Sequence, residues 1–204
     1  MSITDSVSTA LLQLIVLGGV PFLAYATYER RRHKHSLREI RKRAGLQFGQ
    51  PRYLLYSLAL TAIVVAALLV WTPPLEPLTR EGSAQAKFAG LGLTAGSIAG
   101  ALLYGAVQTG LTEELLFRGL IGGMISRRLS MIWANTAQGF IFLLPHLTIL
   151  LFAPELWAVL PIVFAAALLL GWLRIKSGSI IGPSIVHGSA NVTMALIVSA
   201  RTVA

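Results

Sequence analysis

Apolar positions in this chain gather into long runs separated by short charged segments. Uncharged or nearly uncharged stretches cover about residues 7–28, 53–71, 88–126, 130–153, 156–173 and 178–199. A helix crosses a bilayer with roughly 20 apolar residues. The pattern therefore predicts an all-α, polytopic membrane helix bundle of about six transmembrane helices. The run 88–126 does not fit one crossing, because its 39 residues would make a helix of about 58 Å. Two crossings would move Arg127 and Arg128 away from the side that holds the other basic loops. One span near 104–126 is expected instead, preceded at 88–103 by a re-entrant, interfacial or sharply bent segment. Gly92, Gly96 and Gly100 recur every four residues, which predicts a small face for close helix contact.

Composition supports lipid as the solvent. The chain has 204 residues, of which 55% are hydrophobic and only 12% charged, about half the charged share of a soluble globule. That length suits one membrane domain. Within it, residues 1–87 form two N-terminal spans with a basic loop, and 88–204 form a core that carries the chemistry. Cysteine is absent, which excludes disulfides and thiolate metal sites. The first run lacks a basic leader region and reads as a transmembrane helix rather than a cleaved signal.

The net charge of +9 could suggest nucleic acid, but its placement points elsewhere. Eight of the 17 Lys and Arg residues lie between Arg30 and Arg43, directly after an apolar run. Six spans would place thirteen basic residues on one side (segment 29–52, Arg127, Arg128, Arg174 and Lys176) and only Arg80, Lys87 and Arg201 on the other. This asymmetry predicts cytoplasmic basic loops and both termini outside. Trp71, Trp133, Trp157 and Trp172 fall near span ends, as an aromatic belt would place them. Leu37, Ile40 and Ala44 recur at helical spacing, so part of segment 29–52 is expected on anionic lipid, with no nucleic-acid partner. His33 and His35 read as solvated bystanders. Short loops at this length favour a prokaryotic plasma membrane.

Glu113, Glu114 and Arg118 interrupt an otherwise uncharged stretch from 88 to 126. An ionised residue at the bilayer centre costs about 2.5–3.5 kcal/mol. Three unpaired ones would cost on the order of 8 kcal/mol, comparable with a domain's net stability. They must face the protein interior and be partnered. Glu114 and Arg118, four apart, can pair on one helix face, which leaves Glu113 without a local partner on the face it shares with Gly110 and Phe117. Two further pairs stand four apart in apolar runs: Phe142 with His146, and His187 with Asn191. Pro145 frees a carbonyl and is expected to kink its helix at His146. Depth agrees for two of the three groups. Glu113 lies about 21 Å of helix from Arg127 and His187 about 16 Å from Lys176. His146, about 27 Å from Arg128, is too deep unless a loop follows Arg128.

"EELLFR", "FLLPH" and "HGSAN" together resemble the three motifs of the CAAX-protease and bacteriocin-processing family, whose members include the Ras-converting type of prenyl endopeptidase. The resemblance covers about residues 88–199, with the motifs in the family's order. It implies an intramembrane endopeptidase acting on a membrane-associated peptide or lipoprotein, prenylated in the family's eukaryotic case. Glu113 would be the general base, and His146 would hold and activate water. His187 and Asn191 would form the oxyanion hole, with Glu114, Arg118 and Phe142 supporting the site or the substrate. Ser189, off the shared face of His187 and Asn191, reads as packing.

No cofactor is expected. A zinc mechanism with Glu113, His146 and His187 as ligands is the alternative, although no His-Glu-x-x-His is present. Two other readings stay open: a non-catalytic relative acting in bacteriocin immunity or as a signalling scaffold, and a proton-coupled transporter, since intramembrane Glu and His also build proton relays.

Overall fold

The computed structural model describes residues 3–203 and contains no strand among them. Met1, Ser2 and Ala204, whose side of the membrane the charge pattern assigns, lie outside the described residues. The main helices are α1 (Ile3–His33), α2 (Leu37–Arg43), α3 (Pro51–Val70), α4 (residues 95–126), α5 (Met131–Phe152), α6 (Pro154–Ser177) and α7 (Ile181–Arg201). By length and composition α1, α3, α5, α6 and α7 are long and apolar enough to cross a membrane. The sixth expected span falls in α4, which is not one of those five and carries Glu113, Glu114 and Arg118. The architecture is a polytopic helical bundle.

In place of the re-entrant, interfacial or sharply bent segment expected at 88–103, a loop leads into a helix that starts at residue 95 and is continuous with the span. Thr94 and Ser97 form a capping box, with the Thr94 hydroxyl accepting from Ser97 N–H at 3.2 Å and the Ser97 hydroxyl from Thr94 N–H at 2.9 Å. A short turn at Ala86–Phe88 buries Phe88 completely. Gly92 N–H then donates to the Ser199 carbonyl at 3.0 Å, and the Ser199 hydroxyl donates to the Gly92 carbonyl at 2.9 Å. These bonds tie the start of α4 to the end of α7.

From Leu103 to Ile121, α4 is largely π-helical, a form usually confined to single turns. The Thr109 and Thr112 hydroxyls donate to carbonyls five residues back, those of Tyr104 at 3.2 Å and Val107 at 2.8 Å. Along this stretch α4 and α7 approach nearly backbone to backbone. A Cβ at Gly110 would lie 2.8 Å from Gly188 Cα and 2.9 Å from the Ser184 carbonyl, and one at Gly105 would collide with Val192. This is the close contact expected of small residues, but at other glycines. Gly92 precedes the helix, and a Cβ at Gly96 would meet nothing nearer than Thr94 Oγ1 at 3.8 Å. Gly100, the third of the set, is buried, so the four-residue spacing only partly marks a contact face; the tightest seam depends on which face the π-turns rotate toward α7.

The break expected at Pro145 appears one residue after His146: the α-helical part ends there, and helix resumes at Ile149. Because α5 starts only at Met131, His146 lies about 22 Å along its own helix, which relieves the depth conflict. The Gln138 amide, buried in α5, donates to the Ala167 carbonyl of α6 at 2.9 Å, joining the two helices by a polar contact within the apolar layer.

The basic segment docks on protein through Ile40 and Ala44, both fully buried against Tyr25, Leu115, Leu120 and Ile180, while Leu37 is turned outward. His35 corrects the bystander reading. Its Nδ1–H donates to Glu29 Oε2 at 2.6 Å, and Arg43 Nη2 donates to its Nε2 at 2.9 Å. Glu29 is buried, so it needs these partners. His33 is exposed and stacks on His35.

Gly110→Ala is expected to destabilise the protein by 1–3 kcal/mol or more, since the new methyl meets backbone that cannot move aside. Gly96→Ala is expected to be neutral or stabilising by up to about 1 kcal/mol. Thermal unfolding in detergent compares the two; equal melting temperatures would show that the α4–α7 seam is not tightly packed.

Candidate functional site

The three pairs singled out in the sequence meet where α4, α5 and α7 come together. Glu114 and Arg118 are both completely buried, and Arg118 Nη1 lies 3.0 Å from Glu114 Oε1. The same Glu114 oxygen accepts from His187 Nδ1 at 2.8 Å. A buried carboxylate thus joins a guanidinium from its own helix to an imidazole from α7. The bond also orients the imidazole: with Nδ1 donating to Glu114, Nε2 faces the gap, an acceptor in the neutral ring and a donor in the doubly protonated one.

Phe142 of α5 fills the centre. The Arg118 guanidinium carbon sits 3.8 Å from the Phe142 ring centroid, a cation–π contact in a desolvated setting. The ring also lies 4.5 Å from that of His146, 5.1 Å from that of Phe117 and 5.9 Å from that of His187. His146 Nδ1 donates to the Phe142 carbonyl at 2.9 Å, which leaves Nε2 free. The Phe-x-x-x-His spacing therefore places an aromatic spacer and the imidazole it steadies on one face of α5.

Glu113 differs from its neighbour. Its side chain keeps 20% exposure and its nearest charged partner is His187, with Nε2 4.0 Å from Oε2. That separation is too long for a direct hydrogen bond and suits a bridging water. His187 accordingly stands between the two glutamates, anchored on Glu114 and facing Glu113.

Asn191 has a partner that spacing along its own helix did not indicate. Its Nδ2 donates to Thr109 Oγ1 at 2.8 Å, so one amide proton is engaged across the α4–α7 seam and the second is left for a ligand. Thr109 was missed in the sequence, although a polar residue one turn before Glu113 in an apolar run was the available signal. Ser189 lines a separate cavity rather than serving as packing. That cavity, of about 760 Å³, is not lined by Glu113, His146, His187 or Asn191.

Among the described residues, no three His, Asp or Glu side chains stand close enough together to hold a metal ion. The zinc set Glu113, His146 and His187 does not fit, and no step below is routed through a metal.

A family model described as Type II CAAX prenyl endopeptidase Rce1-like matches residues 94–193, a span that contains all three motifs. Over that segment, just under half of the chain, the sequence is similar to this family. No curated protein and no solved structure matches it. The Rce1-like segment starts at the Thr94 cap and ends just past Asn191, so it takes in the capped α4, the α5 pair and the α7 pair. The similarity is to a family of proteases, and the five long apolar helices support an integral membrane protein.

Arg118→Met is expected to cost about 3–5 kcal/mol, because it strands the Glu114 carboxylate without its charge partner. Arg118→Lys, which keeps the charge but loses the planar stack on Phe142, should fall between it and wild type. Detergent melting curves rank the three, and a wild-type melting temperature for Arg118→Met would contradict the pairing.

Proposed function

We propose that this Rce1-like protein is an intramembrane endopeptidase that hydrolyses a peptide bond of a lipidated, membrane-held peptide using water activated by Glu113. The observation that carries the reading is the asymmetry of the two glutamates. Glu114 is sealed from solvent and holds both Arg118 and His187 through one oxygen, whereas Glu113 is partly accessible and stands 4.0 Å from His187. A carboxylate sealed away from solvent cannot reach a water to take its proton; one that faces a polar gap can.

In this mechanism the Glu113 carboxylate removes a proton from a water held in the gap, with the free Nε2 of His146 as a second holding group. The resulting hydroxide adds to the scissile carbonyl carbon. The negative charge that develops on the carbonyl oxygen is met by the Nε2–H of His187 in its doubly protonated form and by the second amide proton of Asn191. Collapse breaks the C–N bond, and Glu113 returns its proton to the leaving amine. Glu114 and Phe142 act through His187 and His146 and are positioning residues. A prenylated tail is the substrate form named in the family's description. The excess of basic residues in the loops supports a cytoplasmic placement for them, with both termini outside; the short loops support a prokaryotic plasma membrane, and segment 29–52 would offer anionic lipid a contact.

Purified protein should cleave a quenched fluorescent prenylated peptide, and Glu113→Gln should slow it by about 10²–10⁴-fold, the usual worth of a general base, with the melting temperature retained. A wild-type rate for Glu113→Gln would rule out the base assignment. Activity removed by a chelator and restored by zinc would return His146 and His187 to the role of ligands. Absence of cleavage across lipopeptides by folded protein would favour a binding-only relative.

A further inference from the structure

The cavity of about 760 Å³ lies apart from the catalytic groups and has a composition of its own. Its walls come from α3 at Val65, from α4 at Leu102, Ala106 and Leu111, and from the face of α7 between Ile181 and Thr193. The lining is overwhelmingly apolar, and Arg41 is its only charged residue. Arg41 and Phe48 mark one end. Arg41 is exposed and Phe48 keeps 82% of its surface open, so this end opens among the basic side chains of α2 and the following loop. Leu102 and Thr193 mark the other.

The dimensions point to a lipid. From Ile181 to Thr193 the groove follows about 18 Å of helix, slightly more than the ~15 Å of hydrocarbon in one leaflet. Its volume falls within the range of small-ligand sites, roughly 300–1,000 Å³. The charge is matched as well. An apolar trough one leaflet long that opens at an arginine, beside Arg38 and Lys42 of the same exposed helix face, complements an acyl chain ending in an anionic headgroup. The catalytic groups do not line it, so a chain seated there would not be presented to the reacting atoms.

We propose that this groove is a binding site for one anionic glycerophospholipid of the leaflet faced by the basic segment, its acyl chain against Ile185 and Val65 and its phosphate on Arg41. The site narrows the general attraction of the basic segment for anionic lipid to a single position. It also has a consequence for the helix it covers: the chain backs the side of α7 that turns away from His187 and Asn191. Its occupancy does not depend on the protease reading, and binding can be measured without turnover.

Native mass spectrometry of the purified protein, released from neutral detergent micelles doped with phosphatidylglycerol or phosphatidylcholine, tests the assignment. Wild type is expected to retain one phosphatidylglycerol in preference to phosphatidylcholine. Arg41→Ala should lower that retention about fivefold, the worth of one basic residue near a membrane surface. Val65→Trp, which fills the trough from the α3 side, should remove the bound lipid of either kind. Arg31→Ala, equally basic but outside the groove, serves as the comparison and should retain lipid as wild type does. Equal retention of both lipids, unchanged in Arg41→Ala, would overturn the proposal and leave only nonspecific annular contact. Displacement of phosphatidylglycerol by a farnesylated peptide in a one-for-one manner would also overturn it, by assigning the groove to a substrate's lipid chain.

Discussion

A charge taken out of water must find another charge, and the buried Glu114–Arg118 pair is where that requirement organises this protein. Both groups are completely buried, and neither could remain ionised in an apolar bundle alone. Arg118 recruits the face of Phe142 from α5, and Glu114 recruits His187 from α7. One ion pair on a single helix thereby specifies where two other helices must lie. The interaction is a poor source of net stability, since desolvation consumes much of the Coulombic gain. Its value is orientational: it ties α5 through Phe142 and α7 through His187 to one face of α4.

The backbone makes this convergence possible. The π-helical winding of α4 places Gly105 and Gly110 against Gly188, and the absence of side chains there lets α4 and α7 come close enough for Thr109 to reach Asn191 and for Glu114 to reach His187. In a lipid environment, where apolar burial gives little drive for helices to associate, such close van der Waals contact and interhelical hydrogen bonds are the main cohesive forces. The loop bonds between Gly92 and Ser199 secure the same two helices at their far end.

With Glu114 and Arg118 sealed in the scaffold, reactivity is left to the group that is not. Adjacent glutamates on one helix reach opposite fates because one points into a closed network and the other into a gap beside His187. The Rce1-like segment contains every residue of this arrangement, while the groove on the other face of α7 is built partly from elements outside it, α2, α3 and the loop between them.

Much of this was legible in the residues themselves. Long uncharged runs can only be membrane helices, and the cost of burying charge makes Glu113, Glu114 and Arg118 conspicuous whatever the fold. The four-residue spacings of Glu114 with Arg118 and of Phe142 with His146 are properties of one helix, so local geometry sufficed to read them. The sequence could not tell which glycines meet another helix, since the face of α4 depends on π-turns that propensity does not announce. Nor could it show that His35 is locked between Glu29 and Arg43, which depends on how the chain turns between α1 and α2, or that Asn191 gives a proton to Thr109, which joins helices far apart in the chain. Spacing along a helix is set by the chain itself; the partner across a seam is chosen only when the whole bundle has packed.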